Sequence, residues 1–178
     1  MHKLSILLWL AVALTAETSG AQAVQVNALL GSKANDEIVQ QADRVEACPL
    51  LIDWAESELE NKYITYEGTC LSLNAADASF LKKTLLAAES YTKNPGKKDR
   101  APVYHFRVRF LHGNDRVEVD FHFSSDLLLL HHGSKTFGQK DFDPAGDQLF
   151  AVLLRLFPKD PTMLLVKDER GARSKTKP

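Results

Sequence analysis

The sequence predicts an α+β fold in which an antiparallel sheet of about four or five strands carries two main helices on one face. Three observations lead to this fold class. A hairpin pattern lies at 104–123, a continuous apolar run follows at 127–132, and two stretches with helical spacing lie at 74–91 and 143–157. We expect the helices to cover the apolar face of the sheet and the charged face of the hairpin to point outward.

The first 23 residues have the pattern of a secretory signal peptide. A short basic start precedes the apolar residues 4–14, and Ala21 and Ala23 place small side chains at the two positions that a signal peptidase reads. The apolar run is shorter than the roughly 20 residues of a membrane span, so an uncleaved anchor is the weaker alternative. We expect export to the periplasm or the exterior of a bacterial cell, with no membrane span after signal removal.

The chain has two cysteines, Cys48 and Cys70. In an oxidising compartment each has one possible partner, so we expect a disulfide between them. Closing this loop would stabilise the fold by about 3 kcal/mol on the chain-entropy model. A catalytic thiol is the alternative, but neither cysteine lies in a Cys-x-x-Cys pair or a recognisable nucleophile motif.

The charge of the chain argues against a nucleic-acid partner. The formal net charge is −1, whereas such partners are bound by domains that are strongly basic overall or on one face. Basic residues instead gather at 93–100 and in the tail, 167–178. We expect that tail to be disordered and residues 24–166 to form one domain. An anionic surface is a secondary candidate partner.

The segment around the first cysteine is predicted to begin with a helix. Capping and acidic side chains at 35–37 precede apolar residues at helical spacing, which suits two to three turns. Residues 44–48 fit the end of this helix or the beginning of a strand, and Pro49 is expected to end the segment in either case. A short acidic helix is predicted at 53–60.

A strand and the first main helix are predicted next. Residues 63–71 are rich in aromatic and β-branched side chains, as strands are. The expected disulfide would tie this strand to the segment that holds Cys48. Asn74 is a good N-cap, Asp77 places a carboxylate in the first turn, and the apolar spacing continues to about Tyr91.

The hairpin is the strongest structural signal. Apolar and polar residues alternate on both sides of Gly113-Asn114, which predicts two antiparallel strands and a two-residue turn. In this register the apolar face pairs Phe110 with Val117, Val108 with Val119, and Phe106 with Phe121. The other face pairs Arg109 with Glu118, Arg107 with Asp120, and His105 with His122. One register thus brings together apolar groups and opposite charges.

A third strand and a second main helix complete the predicted fold. The apolar run at 127–132 predicts an antiparallel strand covered on both faces, followed by a loop at 133–140 that Phe137 anchors. Asp143 as N-cap and Pro158 beyond the end bound the helix. Residues 162–166 are expected to add a small strand before the tail.

The charged face of the hairpin is the candidate binding surface. It carries Arg107, Arg109, Glu118 and Asp120, with Tyr104 nearby, and arginine and tyrosine are favoured where proteins bind one another. The alternative is an ordinary solvated face, whose ion pairs contribute about 0–1 kcal/mol each. For the whole protein we expect a non-enzymatic binding or inhibitory module that acts on another protein or an envelope component.

A metal-dependent enzyme is one alternative. His105 and His122 lie opposite each other in the predicted register. His131 or His132 on the next strand is a candidate third ligand for Zn, which needs three or four, and Asp120 is a candidate to complete the set. A fixed ligand spacing such as His-x-x-x-His is missing. We therefore favour a solvated histidine-bearing face, with no metal and no cofactor.

A small hydrolase is the other enzymatic alternative. Ser124, Ser125, Asp126 and His131 supply the residue types of a nucleophilic triad. They fall within one strand connection, and no Gly-x-Ser-x-Gly motif precedes them. Turn-forming serine and aspartate explain the same residues more simply, so we predict no catalytic residue.

Three stretches within 103–158 carry a resemblance to known proteins. They are the charged hairpin, the apolar third strand, and residues 142–145 leading to Leu156-Phe157-Pro158. Their order resembles that of small exported bacterial α+β proteins that have no assigned activity. These motifs cover about a third of the chain and are structural. The resemblance therefore implies a fold and export, and it carries over no site residues.

Overall fold

The structure is a computed structural model that describes residues 28–53, 64–93 and 103–176. The predicted signal peptide and residues 54–60 of the predicted acidic helix lie outside these ranges. The described elements follow in chain order: α1 Lys33–Gln41, β1 Arg44–Asp53, β2 Ile64–Glu67, β3 Leu71–Ser72, α2 Ala75–Leu85, a 3-10 turn Ala88–Ser90, β4 Phe106–His112, β5 Asp115–His122, β6 Leu127–His132, β7 Lys135–Asp141, α3 Asp143–Leu156 and α4 Pro161–Thr176.

The sheet is antiparallel, so the predicted α+β class is confirmed, but it is larger than four or five strands. The described residues contribute seven strands to it, in the order β2-β1-β4-β5-β6-β7, with β3 paired to β1 beside β2. Four α-helices, rather than two, accompany it within the described ranges. The predicted loop at 133–140 is largely β7, an edge strand with mostly exposed side chains. Such a strand lacks the apolar alternation that would reveal it.

The hairpin register is confirmed over β4 and β5, from Phe106 opposite Phe121 to His112 opposite Asp115. The predicted third strand is β6, which pairs antiparallel with β5. The predicted strand at 63–71 is divided into β2 and β3, and both pair with β1. Its interruption lies beside Pro49, where Gly68 donates its backbone N–H to the Pro49 carbonyl at 2.8 Å.

Pro49 lies inside β1, so the prediction that it ends the segment is wrong. Leu50 donates its N–H toward β4, to the carbonyl of His105. Backbone groups alternate along a strand, so the N–H that proline lacks would point the other way, toward the interruption between β2 and β3. The proline therefore costs the sheet little, since no regular ladder bond is due at that point.

One apolar core joins the sheet to all four helices. The inward side chains of β4 and β5 are fully buried, and helical residues such as Leu81, Leu149 and Met163 belong to the same cluster. Four aromatic rings pack together in it: Phe121 stacks on Phe123 at 5.5 Å, Phe142 meets both of these rings edge-on, and Phe150 meets Phe123 at 5.4 Å. The helices thus seal one face of the sheet and leave the charged residues on the other.

The helix boundaries differ from the predicted ones at several ends. Helix α1 begins at Lys33, where the Ser32 hydroxyl accepts the N–H of Asn35. The predicted N-cap Asn74 is confirmed, but α2 ends at Leu85. Helix α3 already includes Asp143, and Phe142 is its N-cap residue. Helices α1 and α2 thus begin with a side-chain cap, whereas α3 begins without one and has a proline in its first turn.

The C-terminal segment is a helix, which corrects two predictions. Residues 162–166 are helical rather than a strand, and residues 167–176 continue the same helix, α4, where we expected a disordered tail. Met163 and Val166 are buried in the core. Arg170, one turn further, donates to the Phe123 carbonyl at 2.7 Å and to Asp126 at 2.5 Å. This spacing of buried and paired residues explains why the helix forms.

Gly146→Ala is expected to lower the free energy of unfolding by about 2 kcal/mol. A Cβ at Gly146 would lie 2.5 Å from Asp126 Oδ1 and 3.1 Å from Arg170 Nη2, so the contact between α3 and α4 would have to open. Gly171→Ala is the matched control: its Cβ meets nothing within 4 Å, and we expect a gain of up to about 1 kcal/mol. Urea unfolding of both variants measures the difference. Equal stability of the two variants would contradict this packing.

Candidate functional site

The charged residues of the hairpin lie in two rows that cross the sheet. From β1 to β6, the rows contain directly opposed residues: Cys48, Arg107, Asp120 and Leu129 in one, and Glu46, Arg109, Glu118 and His131 in the other. Alternation along each strand places all of these side chains on the face opposite the helices. The structure therefore brings together Arg107, Arg109, Glu118 and Asp120, as the sequence predicts.

A further carboxylate, Glu67 of β2, joins this group. Arg107 donates Nη1 to Glu67 Oε1 at 2.9 Å, and Arg109 Nη2 contacts both carboxylate oxygens. We call Glu67, Arg107, Arg109, Glu118 and Asp120 the charged face. Glu67 was absent from the predicted surface. The signal that could have found it is the disulfide, because Cys70 is three residues away and pairs with a cysteine opposite Arg107.

Each arginine is also anchored to β5. Arg107 binds Asp120 with two hydrogen bonds, from Nε at 2.6 Å and Nη2 at 2.8 Å. Arg109 donates Nε to Glu118 Oε1 at 2.9 Å. The side chains of Asp120 and Glu118 are 6% and 9% exposed, against 26% for Glu67. The inner ion pairs are therefore protected from water, and the outer one is accessible.

The protonation state of this face follows from its contacts. Burial would raise the pKa of Asp120, but hydrogen bonds from Arg107 and His131 outweigh it and hold the pKa below its ordinary value. The bond to Asp120 likewise raises the pKa of Arg107. Both groups are therefore charged at neutral pH, and the face is a fixed pattern of charges.

Arg107→Gln is expected to lower the free energy of unfolding by about 2 kcal/mol, because it leaves the buried Asp120 carboxylate without its bidentate partner. The folded-state pKa of Asp120 is depressed, so this stabilisation is present above the unfolded pKa of about 3.9 and is lost as the pH falls through the folded value. The difference between wild type and variant should therefore shrink below about pH 4. Urea unfolding at pH 7 and pH 3 measures it.

Arg44→Gln is the control for that experiment. Arg44 pairs with Glu46 on the same sheet, but its side chain is 59% exposed, and exposed pairs contribute about 0–1 kcal/mol. If Arg44→Gln lost as much stability as Arg107→Gln, the loss would reflect the removal of any charge from this sheet and not the buried pair with Asp120.

Tyr104 lies beside the charged face. Its hydroxyl accepts a hydrogen bond from Gln139 Nε2 at 2.7 Å. Burial raises its pKa, and the nearby charge of Asp120 adds to the effect. Gln139 is opposite Leu129, which is opposite Asp120, so these side chains continue the first row to the edge strand β7. All five predicted surface residues are thus close to one another.

The histidines form two separate contacts. The rings of His105 and His122 lie 4.9 Å apart, whereas His131 Nε2 is 3.1 Å from Asp120 Oδ2. Over the described ranges, one group of three side chains has metal-ligand atoms within 4.8 Å of one another: Cys48, Glu67 and Cys70. The sulfurs of Cys48 and Cys70 are bonded to each other in the disulfide. The histidine pair therefore stands apart from His131, a predicted third ligand.

The predicted triad residues are also separated. Ser125 Oγ lies 2.5 Å from His122 Nδ1, while Asp126 binds Arg170 and His131 binds Asp120. Ser124 donates to Glu169 of α4 at 2.6 Å. The turn thus brings one serine to one histidine, and its other polar groups connect the sheet to α4.

The predicted disulfide between Cys48 and Cys70 is confirmed. It lies at the edge of the charged face, where Arg109 Nη1 is 3.7 Å from Cys70 Sγ. Cys48 is fully buried in β1. The bond holds the segment between β2 and β3 against the sheet, and with it the backbone that carries Glu67.

Comparison of the chain with known proteins finds no matching family model, no matching curated protein and no matching solved structure. In the part of the chain that the structure describes, none of the helices combines the length and the apolar character that crossing a bilayer requires.

Proposed function

We propose that the protein is an exported, non-enzymatic binding protein that holds a partner protein on its charged face. The observation that carries this proposal is the construction of the face. Its arginines are fixed by Asp120 and Glu118, which are themselves nearly buried on a rigid sheet. Side chains that are already ordered lose little conformational entropy when a partner binds.

Export is part of the same proposal. The leader pattern at 1–23 supports it, and so does the disulfide, since disulfides persist mainly in oxidising compartments. We place the mature protein in the periplasm or outside a bacterial cell. A partner in the same compartment is therefore expected, either a secreted protein or a protein of the envelope.

Site-specific photo-crosslinking tests this function. A photo-reactive amino acid is placed at Thr136, which is exposed and whose hydroxyl lies 3.3 Å from His131 Nδ1, on the side of the charged face. A matched protein carries it at Lys83, which is exposed on α2 on the opposite side of the sheet. After irradiation of producing cells and their medium, we expect one discrete adduct from Thr136 and none from Lys83.

The adduct must also depend on the face. Combining the Thr136 probe with Arg109→Gln should abolish the adduct, and combining it with Lys83→Gln should not. Adducts of equal yield from both probe positions, or no adduct at Thr136, would contradict the proposal.

A hydrolase is a second candidate function, because Ser125 Oγ lies 2.5 Å from His122 Nδ1, within the reach of a base that activates a nucleophile. His105 packs against the same imidazole. A fluorophosphonate probe distinguishes this candidate: covalent labelling that is lost in both Ser125→Ala and His122→Gln would support it. An unlabelled protein would leave the Ser125 contact as a turn interaction.

A further inference from the structure

We infer that Arg107 and Arg109 form a binding site for a carboxylate of an acidic segment in the partner protein, and that Glu67 occupies this site in the free protein. The inference rests on the proposed function, because it names the chemistry by which the charged face recognises its partner.

Arg107 and Arg109 both direct donor groups to the side away from β5. Their anchoring bonds to Asp120 and Glu118 all point toward β5. Two further donors, Nη1 of Arg107 and Nη2 of Arg109, converge from the other direction on the single carboxylate of Glu67, while Arg109 Nη1 faces Cys70. Fixed guanidinium groups match the planar carboxylate, because two parallel N–H groups can bind its two oxygens.

Glu67 is the replaceable member of the group. Its side chain is the most exposed of the three carboxylates that contact Arg107 and Arg109, and β2 is an edge strand of four residues. Exchanging its carboxylate for one from a partner leaves both arginines neutralised and their anchors intact. The exchange therefore avoids the cost of uncovering a buried charge.

The surroundings favour a segment with several carboxylates. Arg44 and Arg116 lie at one end of the same face, on either side of Leu111. Their side chains are 59% and 50% exposed, so they keep donors available beyond their bonds to Glu46 and Glu118. An extended acidic segment whose carboxylate replaces Glu67 can reach this second pair of arginines.

Peptide binding to the intact, disulfide-bonded protein tests the inference. The probe is fluorescently labelled hexaglutamate, with labelled hexalysine as the opposite charge, and anisotropy is followed at low salt. We expect Glu67→Gln to bind hexaglutamate about tenfold more tightly than wild type, because the internal competitor is removed. Arg109→Gln should weaken binding about tenfold, and Lys83→Gln should leave it within about twofold.

Glu46→Gln is the control that distinguishes displacement of the Glu67 carboxylate from the general effect of removing one negative charge. It removes one negative charge from the same face, but the contact of Glu46 is with Arg44. A clearly larger gain in Glu67→Gln than in Glu46→Gln, which frees only the exposed Arg44, would support the inference. Equal gains in the two variants, hexaglutamate binding that Arg109→Gln leaves unchanged, or preference for hexalysine would overturn it. Circular dichroism confirms that each variant is folded.

The outcomes separate this inference from the proposed function. In one outcome, a partner crosslinks through Thr136, Arg109→Gln abolishes this adduct, and hexaglutamate does not bind. The binding function would then stand, and carboxylate recognition would be refuted. Hexaglutamate binding with the expected variant pattern, but without any crosslinked protein, would establish the carboxylate site and refute the protein partner.

Discussion

Removing the disulfide through the double substitution Cys48→Ala and Cys70→Ala is expected to lower the free energy of unfolding by about 3 kcal/mol. The bond joins residues 22 positions apart, so its loss frees a loop of that length in the unfolded chain. Urea unfolding at neutral pH measures the change. Wild-type protein unfolded in the presence of reductant should lose a similar amount.

The disulfide is also expected to be coupled to the charged face, because Cys70 contacts Arg109 and belongs to the segment that carries Glu67. A double-mutant cycle measures this coupling. Arg109→Gln should cost less stability in the background without cysteines than in wild type, since Glu67 is then less firmly positioned. Arg44→Gln serves as the control and should cost the same in both backgrounds. Strict additivity for Arg109→Gln would show that the two features are independent.

The hairpin could be predicted in detail because its information is local. Phe106 to Phe121 form one continuous segment, and a shift of one residue would turn every apolar side chain toward water and part every charge pair. The structure reproduces each predicted pair from Phe106 to His112. The cysteine pair was equally determined, since two cysteines allow one intramolecular bond.

The features that escaped prediction depend on distant parts of the chain. Strand β7 is defined by its pairing with β6 rather than by its own pattern. Pro49 is tolerated because a strand some twenty residues later is interrupted beside it. Helix α4 is held by Met163 in the core and by Arg170 on the turn after β5. None of these partners is visible from the segment itself.

The candidate site shows the same division. Arg107, Arg109, Glu118 and Asp120 were predicted together because one hairpin carries them all. Glu67 was missed because its place depends on the pairing of β2 with β1. That omission matters for function, since the site proposed for a partner carboxylate is the one that Glu67 fills.

The stability of the protein is expected to fall by about 2–3 kcal/mol between pH 6.5 and pH 4, and His105 is expected to cause most of this loss. Burial lowers the pKa of His105 to about 3, and the neighbouring His122 contributes. Its Nδ1 accepts the backbone N–H of Phe123 at 3.2 Å, and a protonated ring would lose that bond. In the unfolded chain the pKa is about 6.5. Between these values the unfolded chain binds a proton that the folded protein does not, so stability decreases as the pH falls.

Urea unfolding at half-unit steps from pH 7 to pH 4 measures this slope, which for one such group is at most about 1.4 kcal/mol per pH unit. His105→Gln keeps an acceptor for the Phe123 N–H but does not titrate, so its stability should be nearly flat over this range. The depressed carboxyl pKa of Asp120 adds its own loss mainly below about pH 4, at the lower end of the window. If His105→Gln has the same dependence of stability on pH as wild type, another group causes the acid sensitivity. The argument that His105 stays neutral in the folded protein would then fail.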